Sequence, residues 1–349
     1  MIEVDNIQSG TLNWTDSNST ITITAVDLAK SILFLTYNTS NSNPGAGCIC
    51  ANLETTTTIR LNRNTTGGDV EIKWYVIEFT AASDIDVQRG TLVPVGEGNQ
   101  DTTITTVGDL SEAFAMHMGI ENAGSSYGTD DGGVVSLPNV TTLRFWFGSG
   151  QGFPDGACWQ VVQSGDIDVQ AVEETATTST SHNNTVTAIV DAQTSIHSSG
   201  TDQGGSSMEP ENYFRHWLTT TTNLNSTRDG GISHRFTAFV VEWPSNVSVQ
   251  KFRETTGTDA GTTNFTLTAV DTDKTVPTPI SAHDALGKQA GDGSNDAINR
   301  FQMSLEITTS TNLQVVRDSV STDLFFRVVQ VIEFSDVQSA DLTPAFQAS

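Results

Sequence analysis

The sequence predicts an all-β protein built from four tandem antiparallel β-sandwich repeats, each ~80 residues long. Composition points there first. Thr, Ser, Asn and Gly abound, Lys and Leu are scarce, and β-branched residues recur throughout, which suits strands joined by polar turns. Periodicity agrees, because no segment sustains a 3.6-residue apolar pattern. The deciding observation is an internal repeat carried by three short motifs in register.

The opening motif is a strand ending in Val/Ile-Gln. It reads Val4-Asp5-Asn6-Ile7-Gln8-Ser9-Gly10-Thr11 and returns around Gln88, Gln170, Gln250 and Gln338, at nearly equal intervals of which the last is the longest. The second motif is a Thr/apolar strand ending in Asp, Ile21-Thr22-Ile23-Thr24-Ala25-Val26-Asp27 in the first copy. Its later copies end at Asp109, Asp191 and Asp271, which keep the same period. The closing motif is an aromatic-rich strand. It is Trp74-Tyr75-Val76-Ile77-Glu78-Phe79, then Trp159-Gln160-Val161-Val162-Gln163, then a strand through Glu242, then one through Glu333.

Between these markers each unit has room for a second apolar strand (Ser31 to Tyr37 in the first), a variable Gly-, Asp- and Ser-rich segment, and a pair of short strands. Turn signals such as Thr66-Gly67-Gly68-Asp69 separate the last two. Five to seven strands per unit give an Ig-like sandwich. The expected domains are 1–83, 84–165, 166–246 and 247–335, followed by a surplus strand and tail at 336–349. The best helix candidate, Asp109 to Met118, aligns with strand in the other copies and is rejected. Each Val-Gln strand follows closely on the preceding closing strand, as Ile85 follows Phe79, which leaves no room for a flexible linker. Gln88, Gln170 and Gln250 are therefore expected at domain junctions, and the four domains as a semi-rigid rod or arc. The surplus strand around Gln338 is expected either to lie along an edge of its own fourth domain or to pair with the edge of a neighbouring chain, of which the second is the working expectation.

The net charge of −25 repels phosphate, so nucleic acid is not an expected partner. No apolar run is long enough to span a membrane, and the start Met1-Ile2-Glu3-Val4-Asp5 does not read as an export leader. Cys48 and Cys50 are close neighbours, and Cys158 lies in another repeat. All three are expected to serve as small apolar residues.

No motif in the sequence carries a complete chemical signature. Gly124-Ser125-Ser126-Tyr127-Gly128 has the nucleophile-elbow spacing but no strand-to-helix context. Asp292 to Asp296 opens like a calcium loop, then places Ala297 and Met303 where Gly and Glu are required. No catalytic residue, metal site or cofactor is expected. Asp27, Asp109, Asp191 and Asp271 read as turn caps. The ring-rich stretch Tyr213-Phe214-Arg215-His216-Trp217 reads as core.

With its Val-Gln-Arg-Gly-Thr start, Thr-rich strand and Trp-x-Val-Ile-Glu-Phe end, the unit resembles repeats in virion structural proteins of tailed bacteriophages and related archaeal viruses. The second copy departs from the pattern at Gln163 and Gly108. The resemblance implies a non-enzymatic capsid decoration, turret, fibre or tail component, found in the virion, with copies of itself and other virion proteins as partners. Two alternatives stand beside it. One is an adhesin that recognises host-surface glycans, and the other a subunit of a cell-surface layer or extracellular filament.

Overall fold

The computed structural model describes residues 2–41, 43–121, 132–148, 154–202, 214–228, 233–258, 261–280, 287–289, 302–317 and 324–335. Gln338 and the rest of the 336–349 tail, the stretches at 124–128 and 292–296, and Tyr213 lie outside them.

The first repeat consists of β1 (Val4–Trp14), β2 (Asn18–Thr22), β3 (Ser31–Thr39), β4 (Cys50–Thr55), β5 (Thr58–Asn62) and β6 (Val70–Phe79). The second has β7 (Asp86–Leu92), β8 (Gly98–Thr103), β9 (Ala113–Glu121), β10 (Gly133–Asn139), β11 (Thr142–Phe147) and β12 (Gly156–Gln163). The third has β13 (Asp168–Thr177), β14 (Ser181–Thr185), β15 (Thr194–Asp202), β16 (Arg215–Thr220), β17 (Asn223–Thr227) and β18 (His234–Glu242). The fourth has β19 (Val247–Thr258), β20 (Thr262–Thr266), β21 (Thr275–Pro279), β22 (Gly287–Gln289), β23 (Ser304–Thr309), β24 (Asn312–Val316) and β25 (Leu324–Phe334).

Each repeat is a sandwich of two three-stranded antiparallel sheets. In the first, one sheet has the order β1-β6-β3 and the other β2-β5-β4, and the remaining repeats follow suit; β22 adds to β25 in the fourth. The segment from Asp109 to Met118 is a single 3-10 turn, Leu110–Glu112, leading into β9.

The two sheets differ in burial, and the sequence explains why. Outer-sheet edges such as β2 and β14 alternate exposed and half-buried side chains. The closing strands instead carry continuous buried runs, apolar in repeats 1 and 3 and interrupted by one buried Gln in repeats 2 and 4, and Trp74 to Ile77 are all buried. A strand buried on both faces needs a partner on each side. One face of β6 packs in its own sandwich. The other packs against the other repeats.

That second face closes the molecule into a ring. Repeat 1 touches 2, 2 touches 3, 3 touches 4, and 4 returns to 1. Thr36 Oγ1 accepts the Leu305 N–H at 3.0 Å across the junction of repeats 4 and 1. Ser199 Oγ accepts the Val135 N–H at 2.8 Å across the junction of repeats 2 and 3, in the corresponding place. The rod or arc expected from the short links is therefore replaced by a closed, pseudo-fourfold ring. Short links fix the angle between neighbours, and the shared apolar face decides that the angle closes.

Adjacent repeats are stitched further by polar bonds. Gln160 pairs with both backbone groups of Leu33 (3.0 and 2.8 Å), and Gln330 does the same with Ile196 (3.0 and 2.8 Å). At the position of Gln160 and Gln330, repeats 1 and 3 carry Tyr75 and Phe239. The ring therefore alternates in pairs. Cys50 and Cys158 form a disulfide between repeats 1 and 2, with Cα atoms 5.4 Å apart. This corrects the expectation that all three cysteines act as apolar fillers; Cys48, which is buried, stands outside the bridge. The bridge arises because the strand carrying Cys50 packs against the next repeat. It closes a loop with a sequence separation of 108 residues, a constraint on the unfolded chain worth at most roughly 4–5 kcal/mol.

The Gly-Thr of the opening motif also has a packing cause. Gly10 lies opposite Trp74 and Gly90 opposite Trp159, and a Cβ on either glycine would come within 2.7 Å of the indole. In the other repeats the bulk changes sides, with Val172 opposite Ala238 and Phe252 opposite Val329. Gly90→Val is expected to cost about 1–3 kcal/mol in urea unfolding, through overpacking. Adding Trp159→Ala, which copies the Val172–Ala238 pair, should recover part of that loss. An unchanged midpoint in the single variant would contradict this packing account.

Candidate functional site

Most signature residues build the frame. Among the described residues, each opening-motif Gln lies in the first strand of its repeat and binds both backbone groups of a Thr in the same repeat. Gln8 accepts from Thr24 N at 2.7 Å and donates to Thr24 O at 3.0 Å. Gln88 does so with Thr105 (2.7 and 2.8 Å), Gln170 with Thr187 (2.5 and 3.2 Å) and Gln250 with Thr268 (2.8 and 2.9 Å). A carboxamide has one donor face and one acceptor face, so it substitutes for a neighbouring strand. The clamp thus serves the inside of a repeat.

Asp27, Asp109 and Asp271 cap 3-10 turns by accepting the N–H of Ala29, Ser111 and Asp273 at 2.9, 2.9 and 3.1 Å. Asp191 differs. It stands one place later in the frame, where Val190 occupies the cap position without a side-chain bond. The carboxylate of Asp191 instead pairs with Lys251 of the fourth repeat at 2.9 Å. Glu78, Glu242 and Glu333 accept the backbone N–H groups of Asp27, Val190 and Asp271 at 2.6, 3.2 and 2.7 Å, fastening each closing strand to the turn. Trp74 and Trp159 are buried. Within the ring-rich stretch, Phe214 and His216 are buried, while Trp217 is half-buried under Arg253, 3.6 Å from its ring centroid.

The four inner sheets also bring together side chains of different repeats. At one end of the ring axis Phe79, Trp243 and Phe334 meet edge to face, with centroids 5.6 Å (Phe79–Phe334) and 5.7 Å (Trp243–Phe334) apart. The equivalent position in repeat 2 is Ser164. Further along, the strand register places Phe34, Met116, His197 and Thr278 at matching positions of β3, β9, β15 and β21. All four line one pocket of about 60 Å³.

His197 is the imidazole among these four matching positions, only 5% exposed. Its ring stacks on Phe114 (4.9 Å, 16°) and faces Phe34 at 6.2 Å. Trp243 Nε1 donates to Ser195 Oγ at 2.8 Å, and that hydroxyl lies 3.0 Å from His197 Nε2. Burial lowers the His197 pKa to about 3, so the ring is neutral at physiological pH. This site left little trace in the sequence, because its members come from four repeats and each looks like an ordinary core residue. Among the described residues, no group of three or more His, Cys, Asp or Glu side chains is arranged to hold a metal ion, and no helix is long and apolar enough to cross a membrane. No protein-family model and no curated protein matches this chain.

Proposed function

We propose that the chain is a non-enzymatic structural component of a virus particle, a capsid decoration, turret, fibre or tail element. The observation that carries this reading is the closed ring, in which the repeated motifs are spent on construction. The Gln clamps, Asp caps, Glu fasteners and Gly/Trp pairs all bind backbone or fill a core. Such a frame resists mechanical and proteolytic opening because every repeat is held on two sides. The acidic surface keeps it off nucleic acid, and the Cys50–Cys158 bridge suits a particle released into an oxidising medium. The test is gene neighbourhood together with mass spectrometry of purified particles. Flanking capsid or tail genes and the intact chain in particles are expected. Flanking export or metabolic genes, with no chain in particles, would overturn the reading.

A second reading, recognition of host-surface glycans, rests on one placement. The variable segments of all four repeats begin at the same ends of β3, β9, β15 and β21, around one end of the axis. Recognition commonly resides in such variable connections. A glycan array distinguishes the readings, since selective retention of one glycan class would favour the adhesin.

A further inference from the structure

We infer that the axial pocket is a binding site for a small uncharged molecule with an apolar body and one hydrogen-bond acceptor, held by the Nδ1–H of His197. This goes beyond the structural role, because a frame needs no vacant donor at its centre.

Phe34, Met116, His197 and Thr278 each come from a different repeat. Leu35, Ile49, Ala115, Met118 and Pro279 add apolar wall, and the Ser198 hydroxyl, also in the wall, already donates to Ile280 O at 2.6 Å. His117 also lines the pocket, with its Nδ1 accepting the Gly119 N–H at 3.0 Å. Among the described residues, no carboxylate, lysine or arginine lines it. A charged ligand would therefore lose its hydration with no counter-charge in return. The volume of about 60 Å³ corresponds to roughly five waters at one probe volume each, hence to a molecule of about five non-hydrogen atoms.

The donor follows from proton bookkeeping along the chain Trp243–Ser195–His197. The indole N–H of Trp243 can only donate, so Ser195 Oγ accepts it. The single hydroxyl proton of Ser195 then needs an acceptor, and His197 Nε2 is 3.0 Å away. Were Nε2 to carry the proton instead, the buried hydroxyl would be left without an acceptor, a costly arrangement. The neutral imidazole therefore holds its proton on Nδ1. Among the described residues Nδ1 makes no hydrogen bond, and His197 is part of the pocket wall. Stacking on Phe114 fixes the ring plane and so the direction of the N–H.

Tetrahydrofuran and cyclopentane are a matched pair of probes, alike in shape and differing by one acceptor oxygen. Both are titrated at matched concentrations, within the solubility of cyclopentane, into the full-length protein. Binding is followed by saturation-transfer NMR, and the His197 ring nitrogens by long-range ¹H–¹⁵N correlation. Expected is a preference for the ether of roughly fivefold, the net worth of one hydrogen bond. The Nδ1 resonance of His197 should shift with tetrahydrofuran alone, and His197→Phe should abolish the preference. Equal affinities, binding of neither probe, a static His197 resonance, or a preference that survives His197→Phe would each overturn the inference. Should that variant not fold, the wild-type imidazole resonance decides alone.

Discussion

Lowering the pH from 7 to 4 is expected to destabilise the third repeat by several kcal/mol and with it the closure of the ring. Repeat 3 carries His182, His197, His216 and His234, four of the six histidines in the chain. Burial depresses the pKa of His197 and of His216 to about 3. It holds His234 well below its ordinary value, with the charges of Arg228 and His216 adding to the effect. The geometry agrees. His216 sits 4.8 Å from the Phe236 ring and bonds Ser226 Oγ at 2.8 Å, while His234 lies 5.1 Å from Phe214. Nearby charges are Arg228, stacked over Phe214 at 5.0 Å, and Glu174, which faces His182 at 3.4 Å.

A histidine whose folded pKa lies below its unfolded value of about 6.5 contributes stability that is complete above that value. Between about 6.5 and 3 the unfolded chain binds protons that the folded chain refuses, so stability falls as pH falls. At pH 4 the loss is about 3 kcal/mol for each of His197 and His216, an order-of-magnitude figure. Together with His234 this rivals the whole stability of an ordinary domain. Protonation of surface carboxylates relieves the self-repulsion of a −25 chain and acts in the opposite direction. Working at about 0.15 M salt, where the Debye length is ~8 Å, screens that term. Urea unfolding at pH 7, 5 and 4 should show a midpoint that falls steadily. A midpoint unchanged to pH 4 would contradict the account, as would an equal fall in a chain carrying His197→Phe, His216→Phe and His234→Phe.

Trp243→Ala should cost about 3–5 kcal/mol, the range for emptying a buried Trp site. Trp243 is 2% exposed, meets Phe114 of repeat 2 at 6.0 Å and Phe334 of repeat 4 at 5.7 Å, and donates to Ser195. Its loss should therefore speed hydrogen exchange in β9 and β25 as well as in β18. Trp243→Phe should restore much of the packing while leaving Ser195 without its donor. Faster exchange confined to β18 would mean that the repeats do not share a core.

The repeat, its strands and its sandwich class were legible because each motif recurs with one local cause. Gln8 and its equivalents bind a Thr a short, nearly constant distance ahead in the chain, and Gly10 and Gly90 face an indole. What joins the repeats was not legible, since those contacts lie far apart in sequence and change chemistry from copy to copy. Tyr75, Gln160, Phe239 and Gln330 occupy one position, and no alignment of motifs shows that they face a common axis. One signal was present. The consecutive apolar residues of the closing strands, such as Trp74 to Ile77 and Ala238 to Val241, call for partners on both faces, which isolated sandwiches on a rod cannot supply. The Cys50–Cys158 pair was hidden for the same reason, because it becomes a neighbour pair only when two repeats dock. The slip at Asp191 shows the limit of spacing alone, where one residue separates a cap from an ion pair with the next repeat.

Small-angle scattering tests ring closure most directly. A closed ring of this length should give a radius of gyration of about 20 Å, as for one compact body. Four such domains end to end would span about 120 Å and give roughly 35 Å. The predicted result is the compact value, about 20 Å, unchanged on dilution. A radius of gyration of roughly 35 Å, or a broad distribution of inter-domain distances, would contradict closure.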